Sequence, residues 1–171
     1  MKTIGLCMIV KDEAALIERC VDSVRPLLDY VLVEDTGSTD GTQDIVRDYL
    51  RRHKLPGEVF EAPWRDFAHN RSLALARLRE IKTIDYALII DADDALVPDS
   101  GFDPAAFKRG LTLDQYSVMV HDGPVSYFRP QLCSNRLDFR YRGVLHEFLA
   151  APPGSTSSVL RLASTSAEHR D

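Results

Sequence analysis

Three acids in four residues, Asp91, Asp93 and Asp94, stand directly after the apolar run Tyr86 to Ile90. Carboxylates crowded in this way repel one another unless a positive group sits among them, and hard oxygen ligands suit Mg²⁺ or Mn²⁺. Asp91 and Asp93 are spaced to reach one centre, and a cation held there could carry a diphosphate. A strand that merely ends in a turn also favours Asp, but three acids after an apolar strand favour the metal. A second text, EDTGSTDGT from Glu34 to Thr42, also follows an apolar run. An acid at a strand tip can accept hydrogen bonds from a base or a ribose, while the small residues allow close backbone approach. The same letters would also make an ordinary Gly-rich turn. His53, His69, His121 and His169 form no ligand pattern by spacing. Trp64, beside Pro63, could stack on a sugar or simply pack.

The elements that must position these acids follow from periodicity. Thr3 to Val10 is a near-continuous apolar run, as in a strand buried on both faces. Ala14 to Val24 carries Leu16, Ile17, Cys20, Val21 and Val24 at helical spacing, with Pro26 just beyond. Tyr30 to Glu34 reads as a second strand, and Thr42 is placed to cap a helix whose apolar side is Ile45, Val46, Tyr49 and Leu50. A third strand, Glu58 to Ala62, leads into a helix from about Phe67 to Lys82, and Tyr86 to Ile90 is the fourth strand. Strands alternating with helices predict βαβ units and a parallel sheet, whose ligands bind outside the carboxyl ends of the strands. From Gln115 onward the period changes: Tyr116 to Val120 and Val125 to Arg129 flank a turn, a mixed or antiparallel addition. Arg136 to Leu149 holds enough apolar surface to pack back on the sheet. From Ala150 the text is rich in Ser, Thr and Pro and predicts a linker or mobile tail over 150–171, after one domain over 1–149.

A chain of 171 residues is long enough for one domain with a core. Its net charge of -5 and scattered Lys and Arg argue against a nucleic-acid partner. A small diphosphate remains compatible with such a chain if a metal or a few basic groups neutralise it locally. Cys7, Cys20 and Cys133 lie in apolar segments without CxxC spacing and read as reduced core residues, which points to the cytoplasm. No apolar stretch is long enough to span a bilayer.

Five segments in order, CMIVKDEAALIERCVDSV, VLVEDTGSTDGT, AHNRSLALA, ALIIDADDAL and RYRGVLHEFL, resemble family 2 glycosyltransferases of the GT-A fold, from Thr3 to about Leu149. The resemblance implies an α/β, Rossmann-like, mostly parallel sheet flanked by helices, with the small mixed addition. It implies a hexosyltransferase that moves a sugar from a nucleoside-diphosphate donor, usually UDP-linked, to an acceptor with inversion and metal assistance. Asp35 then sits where the family binds the base, with Asp12 and Glu13 lining the same pocket. Asp91 and Asp93 match the DxD pair, on ribose and on the Mg²⁺ or Mn²⁺ of the diphosphate, and Arg71 matches a basic position near the nucleotide. His146 and Glu147 match a late HE, which places His146 near the metal. Inversion needs a carboxylate base, for which Glu147 and Asp94 are the candidates.

Relatives with similar text modify lipopolysaccharide core, other cell-envelope glycans or peptides, so the implied acceptor is a glycan, a lipid-linked group or a peptide. A cytoplasmic enzyme, peripheral at the inner membrane face, fits that expectation. Two other readings remain at this stage. A binding module could keep the nucleotide pocket without turnover, and an aspartate-nucleophile phosphatase also places DxD after an apolar strand. In that family the motif lies near the start of the core and ends in Thr or Val, whereas here it follows the fourth strand and Ala95 follows Asp94.

Overall fold

The computed structural model describes residues 1–167. The elements run, in chain order, β1 (Ile4–Val10), α1 (Ile17–Val24), β2 (Tyr30–Asp35), α2 (Thr42–His53), β3 (Gly57–Glu61), α3 (Phe67–Arg79), β4 (Tyr86–Ile89), β5 (Asp94–Pro98), α4 (Pro104–Gly110), β6 (Gln115–Asp122), β7 (Val125–Ser134), β8 (Arg140–Arg142), β9 (Phe148–Ala150) and β10 (Ser157–Ala167). One eight-stranded sheet is ordered β3-β2-β1-β4-β7-β6-β10-β5, and β8 and β9 form a separate hairpin. The first four strands of that order are parallel, with Val10 level with Asp35 and Cys7 level with Ile89. Their carboxyl ends therefore emerge along one edge. The mostly parallel α/β architecture with an antiparallel addition is thus observed, since β7 pairs antiparallel with both β4 and β6.

The strands β1, β2 and β4 are buried on both faces, as the apolar run of β1 requires. Ile4, Leu6, Met8 and Val10 point to one side and join Ile17, Cys20, Val21 and Val24 of α1 and Val46 and Tyr49 of α2. Those four α1 residues are the i, i+3, i+4, i+7 stripe of an amphipathic helix, and α1 gives way to a single 3-10 turn, Arg25–Leu27, at Pro26. On the other side Cys7, Leu32 and Ile89 meet Ala74, Leu75 and Leu78 of α3 together with Phe139. Asp66 starts α3 by accepting a hydrogen bond from the His69 backbone at 2.7 Å, satisfying one free N–H of the first turn.

Several expectations need correcting. Thr42 does not cap α2: Gly41 takes that position with φ +91°, a left-handed conformation suited to glycine. The Thr42 hydroxyl instead receives the Glu13 N–H at 2.9 Å and donates to Asp40 at 2.5 Å. β5 and α4 were not expected between the fourth strand and Gln115. Residues 157–167 are not a tail. They form β10, which enters the sheet parallel to β6 and antiparallel to β5, so one sheet runs across the boundary expected at 149/150. Polar text is tolerated there because strand pairing satisfies the backbone and the buried Thr165 hydroxyl donates to Gln131 at 2.7 Å. The rest of the expected tail, 168–171 with His169, lies outside the described residues. Of the segment expected to pack back on the sheet, Phe139 and Leu149 do so, whereas Val144, Leu145 and Phe148 are exposed.

Candidate functional site

The loops that follow β1, β2 and β4 meet at the carboxyl edge of the sheet. The first two are tied together by their own polar groups. Asp12, at φ +54°, accepts from the Thr39 N–H at 2.8 Å, its own N–H donates to Ser38 at 2.8 Å, and the Ala14 N–H donates to Asp40 at 3.0 Å. Asp35 ends β2 fully buried. One of its oxygens accepts from the Gly37 and Ser38 N–H groups at 2.9 and 2.8 Å and from Gln43 at 2.8 Å. The other, Oδ2, is buried and has no hydrogen-bond partner among the described residues. Burial pushes the Asp35 carboxyl up, but the hydrogen bonds from Ser38, Gly37 and Gln43 outweigh it and hold it below the usual range. An ionised, buried acid with a spare acceptor oxygen can serve a donor group brought to the strand tip.

A cavity of about 550 Å³ opens at this edge, with Glu13, Thr36, Trp64, Arg71, Asp91 and Asp93 in its wall. A smaller cavity of about 240 Å³ adjoins it and shares Arg71, Asp91 and Glu147; its far wall includes Phe128, Arg129, Tyr141 and Phe148. Arg71, on α3, is the hub of both. Its Nη2 donates to Asp91 Oδ1 at 2.9 Å, its Nε lies 3.9 Å from Glu147 Oε1, and its guanidinium stands 5.5 Å from the centroid of the Tyr141 ring. On the other side of Asp91, Arg129 approaches Oδ2 at 3.4 Å and pairs with Asp94. Asp94 is buried, and burial pushes its carboxyl up, opposed by Arg129 and reinforced by the like charges of Asp91 and Asp93.

Asp91, Asp93 and Asp94 can each offer an oxygen within 4.8 Å of the others. Counted with Glu147, four carboxylates meet the guanidiniums of Arg71 and Arg129; Lys11 and Glu13 add one charge of each sign to the wall of the larger cavity, and Arg19 donates to the Asp93 carbonyl at 2.6 Å. An oxygen-only donor set of this kind fits a hard divalent cation.

The expected site residues divide accordingly. Asp91, Asp93, Arg71, Glu13 and Glu147 line the larger cavity, and Trp64 stands in its wall, edge-on to Phe67. Asp35 and Asp12 lie behind that wall, where they hold the two loops, and Thr36 rather than Asp35 is in the lining. Asp94 faces Arg129 and lines neither cavity, and His146 is exposed and also lines neither. Arg129 and Tyr141 were not singled out by sequence reasoning. Arg129 sits on β7 of the antiparallel addition and Tyr141 on β8 of the separate hairpin, where no local spacing marks a residue as facing the acids.

Comparison with known proteins supplies the wider setting. The sequence profile of glycosyl transferase family 2 matches residues 6–102. A TPR repeat-containing protein of Synechococcus elongatus is 33% identical over 159 residues, which is 87% of this chain and 36% of that protein. Among solved structures, the TarS 1-349 complex with UDP from S. aureus superposes with a TM-score of 0.55 at 23% identity, over 71% of this chain and 36% of that one. The mannosyltransferase PcManGT of Pyrobaculum calidifontis, solved with GDP-Man and Mn²⁺, gives 0.53 at 27% identity, over 69% of this chain and 35% of that one. The chain thus spans about a third of the length of these relatives. Among the described residues no helix is long and apolar enough to cross a membrane.

Proposed function

Since the chain belongs to glycosyl transferase family 2, we propose that the larger cavity takes a nucleoside-diphosphate sugar and that the chain carries the donor half of a sugar-transfer site. The carrying observation is the acid cluster of Asp91 and Asp93 in a cavity at the carboxyl edge of a parallel sheet, with the buried acceptor oxygen of Asp35 behind the same loops. Asp91 and Asp93 would hold a Mg²⁺ or Mn²⁺ ion. When bound, the ion would offset charge on the departing diphosphate. The PcManGT structure with GDP-Man and Mn²⁺ supports this donor class, and the TarS complex with UDP supports the same fold around a nucleotide. UDP is the first base to test. The family match leaves no ground for the phosphatase reading.

Glu147 is the better-placed base of the two carboxylates expected for that role. It borders both cavities, whereas Asp94 is buried against Arg129. In the proposed step the acceptor oxygen attacks the anomeric carbon, and the bond from that carbon to the diphosphate oxygen breaks with inversion. The acceptor proton passes to Glu147. Arg71 lies 3.9 Å from Glu147 and is bonded to Asp91, so one guanidinium serves both acids. The acceptor, from a cell-envelope glycan to a peptide, would enter through the smaller cavity.

The test is a thermal-shift panel of nucleoside-diphosphate sugars with and without Mn²⁺, followed by calorimetry on Asp93→Ala and nucleotide release by Glu147→Gln. The expected outcome is Mn²⁺-dependent stabilisation by one donor, lost in Asp93→Ala and retained in Glu147→Gln, whose release of nucleotide falls about 100-fold or more. No shift with any donor would sink the proposal. Binding without release by the unaltered chain would make it a donor-binding module instead.

A further inference from the structure

We infer that Arg129 is a positioning residue for the acid cluster: one guanidinium, bound to both Asp91 and Asp94, sets the span across which Asp91 and Asp93 present oxygen to a divalent cation. The inference rests on the metal-assisted reading above and adds a residue to it.

Arg129 reaches the cluster from a different strand. β4 and β7 pair with Tyr86 level with Ser134 and Leu88 level with Leu132. β7 runs on past that pairing, through a register shift against β6 between Leu132 and Pro130, and from there the Arg129 side chain reaches Asp91 and Asp94. Its two terminal nitrogens then divide between the acids on either side of Asp93: Nη1 lies 3.4 Å from Asp91 Oδ2, and Nη2 binds Asp94 Oδ2. The turn itself is closed by the Asp94 N–H donating to the Asp91 carbonyl at 3.0 Å. That backbone bond fixes the chain path but not the carboxylate planes.

The side chains are fixed by the arginines. Arg71 holds Asp91 Oδ1 and Arg129 approaches Oδ2, so both oxygens of Asp91 have a guanidinium nearby. Asp94, buried, is the anchor that keeps Arg129 in place, because an unpaired charge there would be costly. Asp93 alone of the three acids meets neither Arg71 nor Arg129; its backbone carbonyl accepts from Arg19 at 2.6 Å, and it lines the larger cavity. The arrangement is one acid held, one acid buried as an anchor and one acid left for the ligand. Only a planar fork with two donors can bridge two carboxylates in this way; an ammonium supplies the charge without the span.

Arg129→Lys therefore separates geometry from charge. Mn²⁺ binding, read by electron paramagnetic resonance in the presence of UDP, should weaken about tenfold or more in this variant, in the range found when groups supporting a metal's ligands are removed. The spectrum of the bound ion should also broaden as the site loses a single geometry. Melting in EDTA serves as the control for folding. Affinity within about twofold of the unaltered chain, with an unchanged spectrum, overturns the inference. Should Arg129→Lys not fold, Arg129→Gln combined with Asp94→Asn removes one charge of each sign and leaves a pair of amides. The same loss of Mn²⁺ binding is expected there, and retained binding overturns the inference. Failure of the unaltered chain to take up Mn²⁺ with UDP overturns the metal-assisted reading and this inference together. Uptake by the unaltered chain with no change in the variants overturns this inference alone.

Discussion

Arg71→Met tests whether the acid cluster is held by charge balance. In the structure Arg71 makes one charged hydrogen bond, to Asp91 at 2.9 Å, and stands 5.5 and 5.8 Å from the rings of Tyr141 and Phe67. A hydrogen bond between charged groups contributes about 1.5–3 kcal/mol, and each cation–π contact adds about 0.5–1 kcal/mol. Relief of guanidinium desolvation and the packing of the Met side chain offset part of this. The net loss is about 2 kcal/mol, or a fall in Tm of roughly 4–8 °C for a chain of this length, measured by scanning calorimetry in EDTA.

The second half of the same experiment carries the argument. Without Arg71, the carboxylates Asp91, Asp93, Asp94 and Glu147 lose one of the guanidiniums beside them, so the site becomes more negative by one charge. A unit charge about 6 Å from a cation is worth ~3 kcal/mol at an effective dielectric near 20. In an open cavity that falls to about 1 kcal/mol, roughly fivefold in affinity. Mn²⁺ without nucleotide should therefore raise the Tm of Arg71→Met by more than it raises that of the unaltered chain. An equal or smaller Mn²⁺ shift would refute the charge-balance reasoning, because the cation would then be insensitive to the nearest guanidinium.

Other outcomes follow from features around the site. Glu34 is buried in β2, accepts from Asn70 at 2.6 Å, and leaves Oε2 unpartnered; burial pushes its carboxyl up, opposed only in part by Asn70 and Arg77. Its protonated form is thus favoured by folding, so its contribution is present below the unfolded value of about 4.3 and is lost as pH rises through the raised folded one. Glu34→Gln should equal or exceed the unaltered chain in Tm at pH 7 and lose less stability on going from about pH 4 to 7; a steeper loss refutes this. Gly143 sits at φ +98°, and a Cβ there would lie 2.5 Å from the His146 carbonyl oxygen. Gly143→Ala should open the β8–β9 turn and misplace Glu147, lowering nucleotide release about tenfold or more while the far-UV circular dichroism of the sheet is kept; unchanged release would argue against Glu147 as the base. Burial pushes the Cys133 thiol up to about 12, and raises Cys7 and Cys20 as well. All three should resist a disulfide reagent at pH 8 until denaturant is added, and fast labelling of the folded chain would contradict their burial.

The parallel half of the fold was legible because each of its units is local. The apolar run of β1, the Ile17–Val24 stripe of α1 and the acids just past β4 are read within a dozen residues, and strand tips in such a sheet share one edge whatever lies between them. In the antiparallel half the β6–β7 hairpin was legible from its turn, but the strand beyond it was not, for the converse reason. β10 reads as a linker because its Ser and Thr residues pack only once β6 and β5 stand on either side, and that pairing joins residue 165 to residue 96. The same distance hid Arg129, whose meaning lies in a register between strands about 40 residues apart. Spacing in the text therefore locates the carboxylates but not the cations that balance them. Four acids without Arg71 and Arg129 would repel, take up protons or turn outward. With the two arginines in place Asp91 and Asp94 are paired, and Asp93 is the acid left to meet a cation. On the proposed reading, selectivity for a divalent ion would depend on β7 as much as on the DADD text, and a sequence that kept those four residues but lost the arginine opposite them would keep the motif without the geometry.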